Sequence, residues 1–268
     1  MGTLTEIGDR VFSLRYRFYD QQIGVVLGDE GALVVDTRTT HGQAEEILDD
    51  LGRLTPMPVR AVVNSHFHYD HTFGNHVFRP ASIWGHERCA DRLALTGEDA
   101  RARMIVEEPE LADDLRGVVI DPPDRTFDER AVIDAIGRDV ELRYLGRGHT
   151  DNDIVVLVPG VDVLFAGDLL ENGATPYFGD GFPIDWPETA DALVALVDGA
   201  VVPGHGDVAD RSFAERQATE FHELASLARR VRAGEIGFDD ALGASPYPPR
   251  ATREPLTRAL AQLAGKLD

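Results

Sequence analysis

Between Asn64 and Asn75 the chain reads NSHFHYDHTFGN, which packs His66, His68, Asp70 and His71 into one short stretch. No other feature restricts the possible folds so strongly. Residues two apart in an extended segment point the same way, so His66 and His68 can grip one cation. Asp70 and His71 are adjacent and diverge, which lets them reach a second cation a few ångströms away. Nitrogen and carboxylate donors together suit zinc, iron or manganese. Such a cluster needs a rigid frame, and the run RAVVN from Arg60 to Asn64 reads as a buried strand that delivers the chain into it. The competing reading is a chance group of surface histidines, in a chain that has 9 histidines in all.

The same pattern of apolar strand followed by a donor recurs elsewhere. LGRGHT places His149 in a Gly-flanked turn after a strand, VLFAGD ends on Asp168, VVPGHG carries His205, and LVVDT carries Asp36. Loops at one edge of a rigid sheet are where sites are built. The single Cys89 excludes an internal disulfide and an all-cysteine metal site. The acidic balance, 26 Lys+Arg against 47 Asp+Glu for a formal charge of -21, disfavours phosphate backbones as partners. The chain start lacks the basic and apolar regions of a leader, and no apolar run is long enough to span a bilayer. These observations make a cytoplasmic location and the absence of nucleic-acid and membrane partners the expectation.

Residues 1–268 are expected to form one domain. Strands are expected at Val11–Tyr16, Ile23–Leu27, Ala32–Asp36, Arg60–Asn64, Val118–Ile120, Ala131–Ile136, Val140–Leu145, Ile154–Val158, Val161–Phe165 and Ala200–Val202. Helices are expected at Gln43–Leu54, Glu87–Leu95, Ala100–Leu115, Pro187–Val197, Ser212–Ala233 and Thr252–Leu267, with the C-terminal helices starting near residue 211. Two blocks of strands, each ending in helices, predict an α+β fold with helices on the outer faces of two packed sheets.

With these motifs in place, the stretch from Asp36 to His205 resembles the metallo-β-lactamase-fold hydrolases. The ordered set Asp36, His66-x-His68-x-Asp70-His71, His149, Asp168 and His205 is specific for that superfamily and weakly specific for any one member. The resemblance implies a four-layer αββα sandwich with the site at one edge. It implies one metal on His66, His68 and His149 and a second on Asp70, His71 and His205, with Asp168 bridging. Two zinc ions are the implied cofactors, with iron or manganese as alternatives. A metal-bridging hydroxide would attack a substrate carbonyl, with Asp70 orienting it and shuttling its proton. Asp36, Thr150 and Asn152 are candidates to support the ligand rings from behind, at even odds with a purely structural role.

Departures from the family's branches narrow the reading. The spacing after His149 resembles the β-lactamases that use a cysteine ligand, but Asp168 stands where they have cysteine. Glu171 stands where they place a lysine for the drug carboxylate. The ligand set is closer to glyoxalase II and lactonases, although Thr72-Phe73-Gly74-Asn75 departs from the glyoxalase signature. The expected function is a dinuclear zinc hydrolase of a small ester, lactone, thioester or amide. The alternatives are β-lactam hydrolysis and a mononuclear iron persulfide dioxygenase. Candidate pocket walls are Phe67, Tyr69, Tyr177, Phe178, Phe182 and Trp186, the last four on an aromatic loop that equally fits a small satellite core. Tyr69 can donate to a substrate or simply pack. Arg38 and Arg147 are the cationic candidates nearest the motifs. Uncharged substrates are therefore expected to outrank carboxylated β-lactams.

Overall fold

The computed structural model describes residues 1–267. Twelve strands are present: β1 Thr3–Gly8, β2 Val11–Tyr16, β3 Gln21–Leu27, β4 Ala32–Val35, β5 Val59–Val63, β6 Ser82–His86, β7 Arg125–Phe127, β8 Arg130–Ile133, β9 Val140–Tyr144, β10 Ile154–Leu157, β11 Val163–Glu171 and β12 Ala200–His205. The helices are α1 His41–Leu54, α2 Tyr69–Thr72, α3 Glu87–Glu107, α4 Ala112–Arg116, α5 Trp186–Val194, α6 Arg211–Arg232, α7 Phe238–Ala244 and α8 Pro249–Leu263.

Side-chain alternation along the central strands builds the layers. Leu33, Val35, Ala61 and Val63 meet Ile154, Val156, Val163 and Phe165 in one core between two sheet halves. Their neighbours Val34 and Val62 point outward, onto Ala44, Ile47 and Leu51 of α1. On the far side Val155, Leu164 and Ala166 face outward onto α5, α6, α7 and α8. A period of two on strands covered on both faces explains why they read as unbroken apolar runs. Helix, sheet, sheet and helix are thus stacked in the expected αββα order. The halves join edge to edge where β3 meets β12, at the pair Gln21 and His205, in the order β7-β6-β5-β4-β3-β12-β11-β10-β9-β8 with β1 and β2 beyond β3.

Several elements depart from expectation. The two helices expected around Glu87–Leu95 and Ala100–Leu115 are one continuous α3 to Glu107, followed by the short α4. Gly97, between the two expected helices, lies inside α3, where a Cβ would stand 2.8 Å from Cγ2 of Ile120. Val118–Ile120 is not a strand; it packs under α3. The strands β6 and β7 and the helix α7 carry too few β-branched or periodic apolar residues to be legible, and β1 is mostly exposed, so it lacks an apolar run. No helix among the described residues is long and apolar enough to cross a membrane.

Candidate metal centre

Five strands supply the site, His149 following β9. β4 runs into Asp36, β5 into the 64–75 segment, β11 carries Asp168, and β12 ends on His205. The 64–75 segment bends through Ser65–Phe67 and then turns through α2, so Asp70 and His71 lie on one helical turn rather than in an extended loop. Reciprocal amide bonds between Asn64 and Asn75 (2.9 and 2.8 Å) close the segment, and Asn64 Nδ2 also donates to the His71 carbonyl at 3.0 Å. Glycines make room for Asp168. A Cβ on Gly204 would stand 1.8 Å from Asp168 Oδ1, and one on Gly167 (φ 53°) would stand 2.7 Å from Ser65 Cβ.

The structure gathers all seven candidate ligands. Donor atoms of His66, His68, His149 and Asp168 form one group and those of Asp70, His71 and His205 another, within 4.8 Å of one another in each. Asp168 faces both, with Oδ2 3.5 Å from His149 Nε2 and 3.4 Å from His205 Nε2, and Oδ1 3.4 Å from His71 Nε2. Asp70 Oδ2 lies 3.4 Å from His71 Nε2 and 3.3 Å from His205 Nε2.

Hydrogen bonds to the outer ring nitrogens assign the tautomers. His71 Nδ1 donates to Asp36 Oδ2 (2.8 Å), and His66 Nδ1 donates to Ser65 Oγ (3.0 Å), which in turn donates to Asp36 Oδ2 (2.7 Å). His149 Nδ1 donates to the Tyr177 carbonyl (3.0 Å) and His205 Nδ1 to the Tyr19 carbonyl (2.7 Å). His68 is reversed: its Nε2 donates to Asp180 Oδ2 at 3.0 Å. In each ring the nitrogen so left as acceptor faces the cluster. His68 Nδ1 therefore sits 3.0 Å from His66 Nε2 and 2.9 Å from His149 Nε2, three lone pairs converging on one point. Lone pairs at that separation repel unless a cation or proton lies between them. His71 Nε2 and Asp168 Oδ1 are buried with no hydrogen-bond partner among the described residues. These orphaned acceptors fit divalent metal ions bound in both groups.

Charge in the two groups differs. Burial pushes His66 well down and His149 to about 4. Burial also opposes charge on His71 and His205, but Asp168 and Asp70 outweigh it and raise both. In return, despite burial, His71 and His205 hold Asp70 and Asp168 well below the carboxylate range. In the second group, then, carboxylates and imidazoles favour each other's charged forms.

Asp36 supports the rings as expected, at φ 68°, a conformation rare outside glycine. Thr150 and Asn152 do not. Thr150 Oγ1 donates to Asp153 (2.9 Å) and Asn152 Nδ2 to Asp151 (2.7 Å), because they shape their own turn. Above the cluster lies a cavity of about 580 Å3 that Tyr69, Tyr177, Asp180, Glu171 and Arg103 help to line. A second, of about 320 Å3, shares His68, Tyr69, Arg103 and Asp180 with it and adds Phe67. Phe178 and Trp186 are not pocket walls. They point down into the core against Phe221, the alternative that the sequence left open. Phe182 is also buried, under the guanidinium of Arg147 at 4.4 Å. Arg38 is buried against Glu46 and Tyr16, and Arg147 pairs with Asp185, so neither reaches the cavity.

Sequence reasoning missed Ser65, Asp180 and Arg103. Ser65 had a local signal, its place beside His66; the other two arrive only through the fold. Glu171 has a different role from the expected one. It accepts the Tyr177 N–H at 2.9 Å, and burial, then the Asp168 charge, pushes it up to about 8.

The family model of the metallo-beta-lactamase superfamily matches residues 17–205. The chain belongs to that superfamily. Among curated relatives, a metallo-beta-lactamase type 2 from Bacillus cereus is 27% identical over 194 residues, 70% of this chain and 68% of that protein. A Bacteroides fragilis enzyme of the same name is 34% identical over 90 residues, so the match spans only about a third of its length (36%) and 32% of this chain. A linear primary-alkylsulfatase from Pseudomonas sp. (strain ATCC 19151) is 25% identical over 212 residues, 66% of this chain and 40% of that one. Among solved structures, the metallo-beta-lactamase from Pontibacter korlensis superposes with TM-score 0.66 at 22% identity, over 83% of this chain and 99% of its own. The sec-alkyl sulfatase PisA1 superposes with TM-score 0.74 at 17% identity, over 98% of this chain and 50% of its own. Superfamily membership and the converging donors together support divalent metal binding.

Proposed function

We propose that this superfamily enzyme is a dinuclear zinc hydrolase that cleaves an ester, lactone, thioester or amide carbonyl. The observation that carries the reading is the convergence of His and Asp donor atoms in two adjoining groups, with Asp168 facing both. His66, His68 and His149 would hold one ion, Asp70, His71 and His205 the other, and Asp168 would touch both. Zinc pairs bound there would supply Lewis acidity and lower the pKa of water toward neutrality. Asp70, which lines the cavity, would accept a proton from the attacking water. Asp36, directly and through Ser65, keeps two rings from rotating, so little reorganisation accompanies the chemistry. Tyr69 and Tyr177 frame the substrate above.

Acidic groups outnumber basic ones above the metal ligands, with Asp180 and Glu107 set against Arg103 alone among the described lining residues. This supports neutral esters and lactones over β-lactams that carry a carboxylate. Hydrolysis of β-lactams is the second reading, favoured by the names of the relatives. Metal analysis of native protein and kcat/KM on a neutral lactone or aryl ester, a penicillin and a carbapenem test both. Two zinc ions per chain and an advantage of about tenfold or more for the neutral substrates are expected. Efficient drug hydrolysis with little neutral turnover would establish the second reading, with Arg103 as anchor. A single iron with thiol-dependent oxygen uptake would overturn both.

A further inference from the structure

The segment between β11 and α5 reaches two ligand rings at once. Its Tyr177 carbonyl accepts from His149 and its Asp180 carboxylate accepts from His68. The Phe182 N–H also donates to the Gly148 carbonyl at 2.8 Å, beside His149. Nothing in that segment is regular structure up to Asp185, and Tyr177 is 53% exposed; buried Phe178 and Phe182 anchor it from below, and its root and crest are held from outside. Two helices hold them. Gln217 of α6 grips the root, accepting from the Glu171 N–H (2.9 Å) and donating to its carbonyl (2.7 Å). The crest is held by α8: Arg258 Nε donates to the Gly181 carbonyl, next to Asp180, and Gln262 Oε1 accepts from the Ile184 N–H at 2.8 Å. Helix α8 is itself fixed by Leu256 and Ala259, fully buried in the outer core with α6. It lies outside the matched stretch 17–205.

We propose that α8 acts on the metal centre, with Arg258 as a positioning residue that sets the orientation of His68 through Gly181 and Asp180. The proposal rests on the metal-centre reading above. Loss of the guanidinium frees the Gly181 carbonyl and lets Asp180 swing, so His68 no longer presents Nδ1 to the cluster. Partners behind a ligand ring are worth about ten- to a hundredfold in metal affinity, and one acting through a backbone unit belongs at the low end.

The test compares wild type with Arg258→Ala, Arg258→Lys and, as a control on the same helix, Arg253→Ala, whose side chain pairs loosely with Asp239 at 3.8 Å. Three readouts are needed: affinity for Zn2+ by competition with a chromophoric chelator, the visible spectrum of the Co2+-loaded protein, and side-chain imidazole NMR of the metal-free protein. Arg258→Ala should weaken the tighter site about tenfold, change the Co2+ spectrum and shift the His68 resonances. Arg258→Lys, which keeps a donor, should restore most of each, and Arg253→Ala should match wild type. Unchanged affinity and spectrum in Arg258→Ala, even with a lower melting temperature, would overturn the proposal. So would failure of the lysine variant to recover any readout. A wild type that takes up no metal would sink the metal-centre reading; the imidazole spectra would still decide whether Arg258 orients His68.

Discussion

The rings of the site are held in two different ways. On one side, His66 and His71 are fixed by Asp36 and Ser65, all fully or almost fully buried where β4 and β5 end. On the other, His68 and His149 depend on the 172–185 segment, where Asp180 is half exposed and the Tyr177 side chain faces solvent. The strand-held side draws its rigidity from backbone ladders and a two-sided apolar core. The segment-held side draws it from helices packed later in the chain. Precision is therefore easier to disturb at His68, whose partner Asp180 is half exposed, than at His66 and His71, where a lost partner leaves buried groups unpaired.

Asp168 belongs to both sides, so its loss should erase the difference. Asp168→Ala is expected to release both metals and nearly abolish turnover; retention of two metals at full activity would show that the carboxylate does not bridge. Complete chelation comes next. Metal binds only the folded state, so the metal-free protein should melt several degrees lower, by an amount that grows with free metal in titration. An unchanged melting curve would break the link between site and fold.

Asp36→Ala removes one acceptor shared by Ser65 and His71 and leaves the Ser65 N–H, bound at 2.7 Å, without its partner. We expect a stability loss of about 1–3 kcal/mol and metal affinity lower by about ten- to a hundredfold. Asp180→Ala should lower affinity by less, with little change in melting temperature, since its carboxylate is already in contact with water. Denaturation midpoints and metal titrations of the two variants, side by side, test this; equal stability losses would contradict the comparison.

A separate, pH-dependent effect concerns the turn that carries His149. Asp153 accepts from the Thr150 N–H (2.7 Å) and hydroxyl (2.9 Å), and burial pushes its carboxyl up to about 7. An acid whose folded pKa exceeds its unfolded value holds its proton longer in the folded state. Its ionisation therefore destabilises the fold progressively between about pH 4 and 7 and no further above that. Asp153→Asn removes this contribution. Its melting temperature relative to wild type should rise from pH 5 to pH 8, offset by a pH-independent cost for one lost acceptor. A difference that stays flat with pH would mean that Asp153 is ionised throughout.

How far the sequence carries follows the same division. Leu33–Val35, Ala61–Val63 and Val163–Phe165 are legible because both faces of their strands are buried and the apolar run is continuous. Asp36, Asp168 and His205 follow or end such runs and His66 lies just past one, so they stand out as candidates in the sequence, whereas their division into two groups was implied only by the family resemblance. Thr150 and Asn152 lie as close to His149 in sequence, yet turn to Asp153 and Asp151 instead. Phe178 and Trp186 are aromatic and flanked by glycine and proline, a composition that fits a pocket wall and a satellite core equally; the stack on Phe221 decided for the core.

By itself, then, the chain determined the layered sheets and the donor set, because alternation and strand-end donors are local patterns that survive without knowledge of neighbours. Asp180 on His68, Glu171 on the Tyr177 N–H, Arg103 over the cavity and Arg258 on Gly181 were decided only by tertiary structure. Each joins elements remote along the chain or sits in a segment without periodicity. A hydrogen bond between such residues has no signature until packing has brought donor and acceptor within about 3 Å.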